Sequence, residues 1–329
     1  MPSATTIAAE YTPLRYRALT ITATVVCFPL GGILAGFYAT ALMPEYGWRG
    51  LFLLGGVFPL VFSAVLFLTL YESPRFLAHK PARWGDLIRL LARTGRVLPT
   101  NATFADREET AVMAKQSPKL SILLGRTFAR DTIAVWLSYF ACLFAVYSAF
   151  SWLPSMLSSE GFTPAIANAG LTAYNMGGVA GALICASLIP RFGSRWPMAI
   201  CAFGGAVSAV ALKAIPNDQA TLLIAGLGLH GLFVNAVNST LAAVSAFLYP
   251  TEIRARGAAT ALAVGRFGAI LSSFVGAAAL TISGPSGFLT VLGASMLLVT
   301  IALLTLRRHV LPLNNNLASS AIPTATTSL

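Results

Sequence analysis

Residues 249–257 read Tyr-Pro-Thr-Glu-Ile-Arg-Ala-Arg-Gly, a polar turn with two arginines set between long apolar stretches. Residues 10–18 read Glu-Tyr-Thr-Pro-Leu-Arg-Tyr-Arg-Ala, with a similar order and spacing. One such turn is ordinary basic punctuation between membrane helices. Two of them suggest duplicated halves, as in transporters built from repeated helical units around a midplane site. If Arg254 belongs to the turn after the fourth span of its half, Arg15 holds the same place in the other. Met1–Pro13 (MPSATTIAAEYTP) is then expected to be the tail of a helix too short to span, since a span needs about 20 apolar residues.

Working outward, the rest of the chain supports a membrane protein. Its 329 residues are 56% hydrophobic and 10% charged, with mean hydropathy +0.75. Soluble domains carry about 25% charged residues. A net charge of +11 in a polar protein would point to nucleic acid, but here the apolar content overrides that reading, and no nucleic-acid partner is expected. Cys27, Cys142, Cys185 and Cys201 all lie in apolar stretches without zinc or disulfide spacing. No metal, cofactor or cleavable signal peptide is read from the sequence.

Charge-poor stretches predict eight spans, at 18–43, 50–71, 132–157, 166–189, 197–214, 220–248, 257–281 and 287–306. Pro44-Glu45-Tyr46-Gly47 and Ser283-Gly284-Pro285-Ser286 read as tight turns. Of the 22 basic residues, 19 fall in loops on one face, Arg49 and Lys213 on the other, and Arg266 inside a span. Basic loops stay in the cytoplasm, so both termini are expected there, in a cell (inner) membrane. Within the long loop, Trp84–Leu91 (WGDLIRLL) has the pattern of an amphipathic helix lying on the inner membrane surface.

Four stretches carry a family resemblance: Tyr71–Leu77 (YESPRFL), Trp136 through Tyr147 to Trp152-Leu153-Pro154, Leu248–Gly257, and Gly265–Ile270 (GRFGAI). Together they resemble the major facilitator superfamily, and most closely its aromatic acid:proton symporters. The resemblance implies an all-α helical bundle that lacks family helices 1–3 and most of helix 4. Residues 1–75 are then the remnant of the first half (the end of helix 4, with helices 5 and 6), and 76–131 a cytoplasmic loop. Residues 132–308 are the six-helix second half (helices 7–12), and 309–329 a disordered tail. The first-helix acid that the family uses for proton coupling, and its glycine- and aspartate-bearing loop, are absent. Pro190 stands where the family often has Asp, and Arg256 where a small polar residue is common. The acidic motif that sugar porters carry after the last helix is missing too, which favours organic acids over sugars.

The polar residues inside the spans are the candidate site. A mid-helix Arg costs about 2.5–3.5 kcal/mol on insertion scales, so Arg266 is expected to face the cavity and pair with a substrate carboxylate, or to bond helix ends and headgroups near the cytoplasm. Asn235 and Asn238, with Asn175 in another span, either line that cavity or join helices. His230 is a candidate proton relay or a packed neutral histidine, and Tyr147 a candidate ring-stacking partner. Glu10, Arg15, Arg17, Arg191, Gly193, Arg195, Pro250, Thr251, Arg254 and Arg256 are the candidate cytoplasmic gating turns. The eleven acidic residues lie in loops or at span ends, so no proton carrier is read among the visible spans.

The expected function is alternating-access transport of a small organic acid, plausibly aromatic, with protons. The expected partners are that acid, the proton and the lipid bilayer; oligomeric state is left open. The chain reads as an N-terminally truncated transporter that is inactive alone. The alternatives are a porter of sugars or other metabolites, or a non-transporting remnant; an enzyme is not expected.

Overall fold

The computed structural model describes residues 14–70, 72–78, 80–93, 122–125, 128–216, 218–249 and 251–310, with isolated positions 4, 7, 8, 11, 12 and 99. Glu10, Pro250 and the tail beyond 310 lie outside the described residues, as do the side chains of Arg15, Arg17, Thr251 and Arg254. The chain divides into two compact units, Met1–Lys119 and Leu120–Leu329.

The first unit begins with α1 (Leu14–Thr69), which breaks at Gly47 (φ 61°, ψ −171°). Only glycine adopts that backbone at little cost, so one residue makes the turn read from Pro44-Glu45-Tyr46-Gly47. The second arm is apolar on every side, with Phe67 and Leu68 87% and 83% exposed. Such a surface is stable in a lipid solvent rather than in water. Next come α2 (Pro74–Ala78) and α3 (Trp84–Arg93), joined by a 3₁₀ turn at Pro81–Arg83. Ser73 Oγ caps α2 by accepting from the Phe76 N–H at 3.1 Å, with Pro74 at the first helical position. The helix expected at Trp84–Leu91 is present, but Leu87 and Leu90 are buried together with Leu77. Its apolar stripe is therefore satisfied within the unit by α2.

The second unit holds α4 (Ala129–Ser159), α5 (Pro164–Phe192), α6 (Arg195–Leu212), α7 (Ala220–Leu248) and α8 (Thr251–Thr305). α8 breaks at Gly284 (φ 64°, ψ −165°) into arms 251–283 and 285–305. Among the described residues, six helices are long and apolar enough to cross a membrane, and Pro29–Leu42 is a shorter apolar helix. The difference from eight spans has two causes. The 50-residue stretch Arg256–Thr305 counts as one helix although Gly284 divides it, and the first span is represented by Pro29–Leu42.

Small residues set the packing. Cβ atoms on Gly177 and Gly181 of α5 would collide with the Gly228 and Leu232 carbonyl oxygens of α7, and one on Gly268 of α8 with that of Phe140 in α4. Backbones meet directly at these seams, as close membrane-helix contacts require. The second arm of α8 buries Phe288, Leu292, Met296, Val299 and Leu303, while Leu297, Ile301 and Leu304 stay exposed. That helix is apolar all round, yet only one stripe faces protein.

At one end of the unit, the segment after α8 ties three junctions together. Asp131 at the start of α4 is buried and accepts from the Arg307 N–H at 2.9 Å. Ser194, between α5 and α6, donates its N–H to the Val310 carbonyl and accepts the Val310 N–H on Oγ, both at 3.0 Å. Tyr249, at the end of α7, donates to Thr132 Oγ1 at 3.1 Å. Arg308 packs over Phe128, 4.5 Å from its ring centre. The opposite end carries a cavity of about 70 Å³ between Glu160, Leu212, Lys213 and Pro285.

Candidate functional site

α8 begins at Thr251, so Arg266 is the sixteenth residue of a 33-residue arm and sits at its middle. The seam that holds it there is made by its neighbours. Gly265 lies against Leu143 and Tyr139, and Gly268 against the Phe140 backbone. Pressed flat on α4, α8 sends the Arg266 side chain along α4's edge. Its Nη1 donates to the Tyr147 hydroxyl at 2.8 Å, and its Cζ stands 5.9 Å from the Tyr147 ring centre. That separation is at the outer reach of a cation–π contact, about 6 Å. The side chain is exposed, and no carboxylate pairs with it among the described residues. One guanidinium N–H is committed, and the remaining donors of its planar fork are open.

The other candidates fall elsewhere. Asn235 Nδ2 donates to the Gly231 carbonyl at 3.1 Å and lies over Gly178, on the seam between α7 and α5. Asn175 is buried and donates back to Leu171 of its own helix at 2.9 Å. Asn238 is half-buried. His230 is fully buried, its Nδ1 2.8 Å from Ser208 Oγ and its ring 6.1 Å from that of Tyr174. Ser208 Oγ also donates to the Gly205 carbonyl at 3.0 Å. Having spent its one proton there, it receives the Nδ1–H of His230. This knot joins α6 and α7 beside α5, and no hydrogen bond among the described residues links it to Arg266.

The turns show their backbones clearly. Gly193 ends α5 with φ 73°, Arg191 and Arg256 are exposed, and Arg195 stacks beside Trp196, 5.8 Å from its ring centre. Thr251 and Arg254 lie in the opening turns of α8. Sequence reasoning missed Ser208 and Ser194, because a serine in or beside a span carries no signal of its own. Asp131 was visible only as an acid at a span end.

The profile of the sugar (and other) transporter family matches residues 2–308. The chain belongs to that family. It is an integral membrane protein with the all-helical major facilitator fold, and its matched relatives are transporters rather than enzymes. It is 32% identical over 305 residues to the gallate transporter of Pseudomonas putida, covering 92% of this chain and 67% of that one. It is 34% identical over 280 residues to the 4-hydroxybenzoate transporter PcaK of Pseudomonas putida, covering 84% of this chain and 61% of that one. The chain thus spans about two thirds of the length of these relatives. A crystal structure of a D-xylose-proton symporter superposes with a TM-score of 0.63 at 17% identity, over 94% of this chain and 67% of that one. That likeness concerns the fold alone.

Proposed function

We propose that the carrier of which these residues form part moves a small aromatic carboxylate with a proton across the inner membrane by alternating access, with its termini in the cytoplasm. Arg266 binds the carboxylate. The observation that carries this reading is a mid-helix guanidinium that is exposed, held by a neutral tyrosine and without an acidic partner among the described residues. A cation facing acyl chains there is costly. One facing a wet cavity is a ready counter-ion for a carboxylate, which fits the planar fork through two parallel hydrogen bonds. The gallate and 4-hydroxybenzoate relatives are named for carboxylates of this class, which supports an organic acid over a sugar. The glycine seams allow helices to slide as the cavity changes side.

Binding of radiolabelled 4-hydroxybenzoate to the chain in lipid nanodiscs tests this. The expected result is saturable binding that benzoate displaces and D-xylose does not, weakened roughly tenfold or more in Arg266→Ala, about the 1.4 kcal/mol of one lost charge-assisted contact. Equal binding by Arg266→Ala, or equal displacement by D-xylose, would overturn it.

A further inference from the structure

We infer that Tyr147 and Arg266 act as a single carboxylate-binding pair, in which Tyr147 positions the guanidinium and adds a hydrogen-bond donor of its own. The inference rests on the reading of Arg266 above and changes the part played by Tyr147, which the sequence suggested as a ring-stacking surface.

The chemistry follows from which atom donates. Arg266 Nη1 can only donate, so in the 2.8 Å contact the phenol oxygen is the acceptor. Accepting uses a lone pair of the phenol oxygen and leaves its O–H uncommitted, and no acceptor takes that O–H among the described residues. The pair therefore presents two kinds of open donor: the rest of the guanidinium fork and the tyrosine O–H. A carboxylate that accepts from the open guanidinium N–H groups on the phenol side has room to turn one oxygen toward Tyr147, where the O–H donates to it.

Packing explains why this geometry is built in rather than sampled. An arginine side chain loses much rotamer freedom when it is fixed. Here the backbone beneath it is immobilised by the Gly265 and Gly268 contacts with α4, the helix that carries Tyr147. The contact joins residues 119 positions apart, so it also couples α4 to α8 at mid-membrane. The ligand class is narrow: a monoanion with two equivalent oxygens. A carboxamide of the same shape offers one acceptor and one N–H₂, which opposes the fork.

Benzoate and benzamide affinities of the chain in lipid nanodiscs test the pair, measured for the parent, Tyr147→Phe, Arg266→Lys and the double variant. Phenylalanine keeps the ring and its packing, so the melting temperature should be unchanged. Tyr147→Phe should weaken benzoate about fivefold, leave benzamide unaffected and so narrow the preference for the acid. Arg266→Lys keeps the charge without the fork and should weaken benzoate tenfold or more, and the double variant should bind no worse than Arg266→Lys. If Tyr147→Phe binds benzoate like the parent while Arg266→Lys loses it, the pairing is wrong and the role of Arg266 stands. Additive losses in the double variant would also overturn the pairing. If the parent binds no benzoate, or Arg266→Lys is without effect, both readings fall.

Discussion

A side chain at Gly257 has nowhere to go, because the Tyr249 ring already occupies the space where its Cβ would stand. That contact folds the Tyr-Pro-Thr-Glu-Ile-Arg-Ala-Arg-Gly turn back on itself, with the buried Tyr249 hydroxyl anchored on Thr132. Burial also pushes the Tyr249 phenol above its ordinary pKa, so it stays a neutral donor. Gly268 is limited in the same way by a backbone carbonyl, which cannot rotate aside. Gly257→Val and Gly268→Val should each cost about 1–3 kcal/mol, the usual range for overpacking, read as a lower melting temperature in detergent. Unchanged melting for Gly268→Val would mean that α4 and α8 are not in backbone contact. Arg266 was legible in the sequence because a lone cation inside an apolar stretch stands out by composition. The contact with Tyr147 was not, since nothing in the spacing of residues 147 and 266 links them before α4 and α8 are laid side by side.

Among elements, the five residues after α8 do more than their composition suggests. Leu306 is buried, and the segment Leu306–Val310 clasps the start of α4 and the turn between α5 and α6. Asp131→Asn keeps the shape but loses a charge-assisted bond in a buried setting, and should destabilise the unit by about 1–3 kcal/mol. Ser194→Ala should do so by less, since it removes only the side-chain half of an exchanged pair. His309 adds a pH dependence to this clasp. Its pKa lies below the usual imidazole value, first because burial disfavours the cation and also because Arg195 is near, with the Leu306 carbonyl and Asp131 opposing. The folded state then binds fewer protons than the unfolded one, so stability is full above about pH 6.5 and is lost as pH falls from there toward the folded value. The melting temperature should fall on acidification through that window, and less so in His309→Gln; an identical slope in both would remove His309 from the account. Helices and turns were largely legible, because apolar runs and Gly/Pro punctuation are local signals. The clasp was not, since a basic stretch after a last span reads only as a topology signal. For α3, the amphipathic pattern was legible, while the packing of Leu87 and Leu90 on Leu77 was not, since it depends on how α2 and α3 fold together.

For the whole molecule, the second unit sorts its charges by end. Arg130, Arg191, Arg195, Arg256, Arg307 and Arg308 belong to the end that carries the clasp, while Lys213, bonded to Thr290 Oγ1 at 2.5 Å, lies at the other. The segregation read along the sequence is thus built into three dimensions, which favours a cytoplasmic clasp. The account depends most on what touches the exposed face of α8 around Arg266. Leu262, Ala263, Phe267 and Ile270 are exposed there as well. The direct measurement is the labelling rate of Ala263→Cys, one turn before Arg266, by a membrane-impermeant thiosulfonate, with Cys27, Cys142, Cys185 and Cys201 replaced by alanine. The prediction is rapid labelling that 4-hydroxybenzoate slows and D-xylose does not. Labelling only by a lipid-soluble maleimide, with no protection by the acid, would place Arg266 against acyl chains and contradict the account.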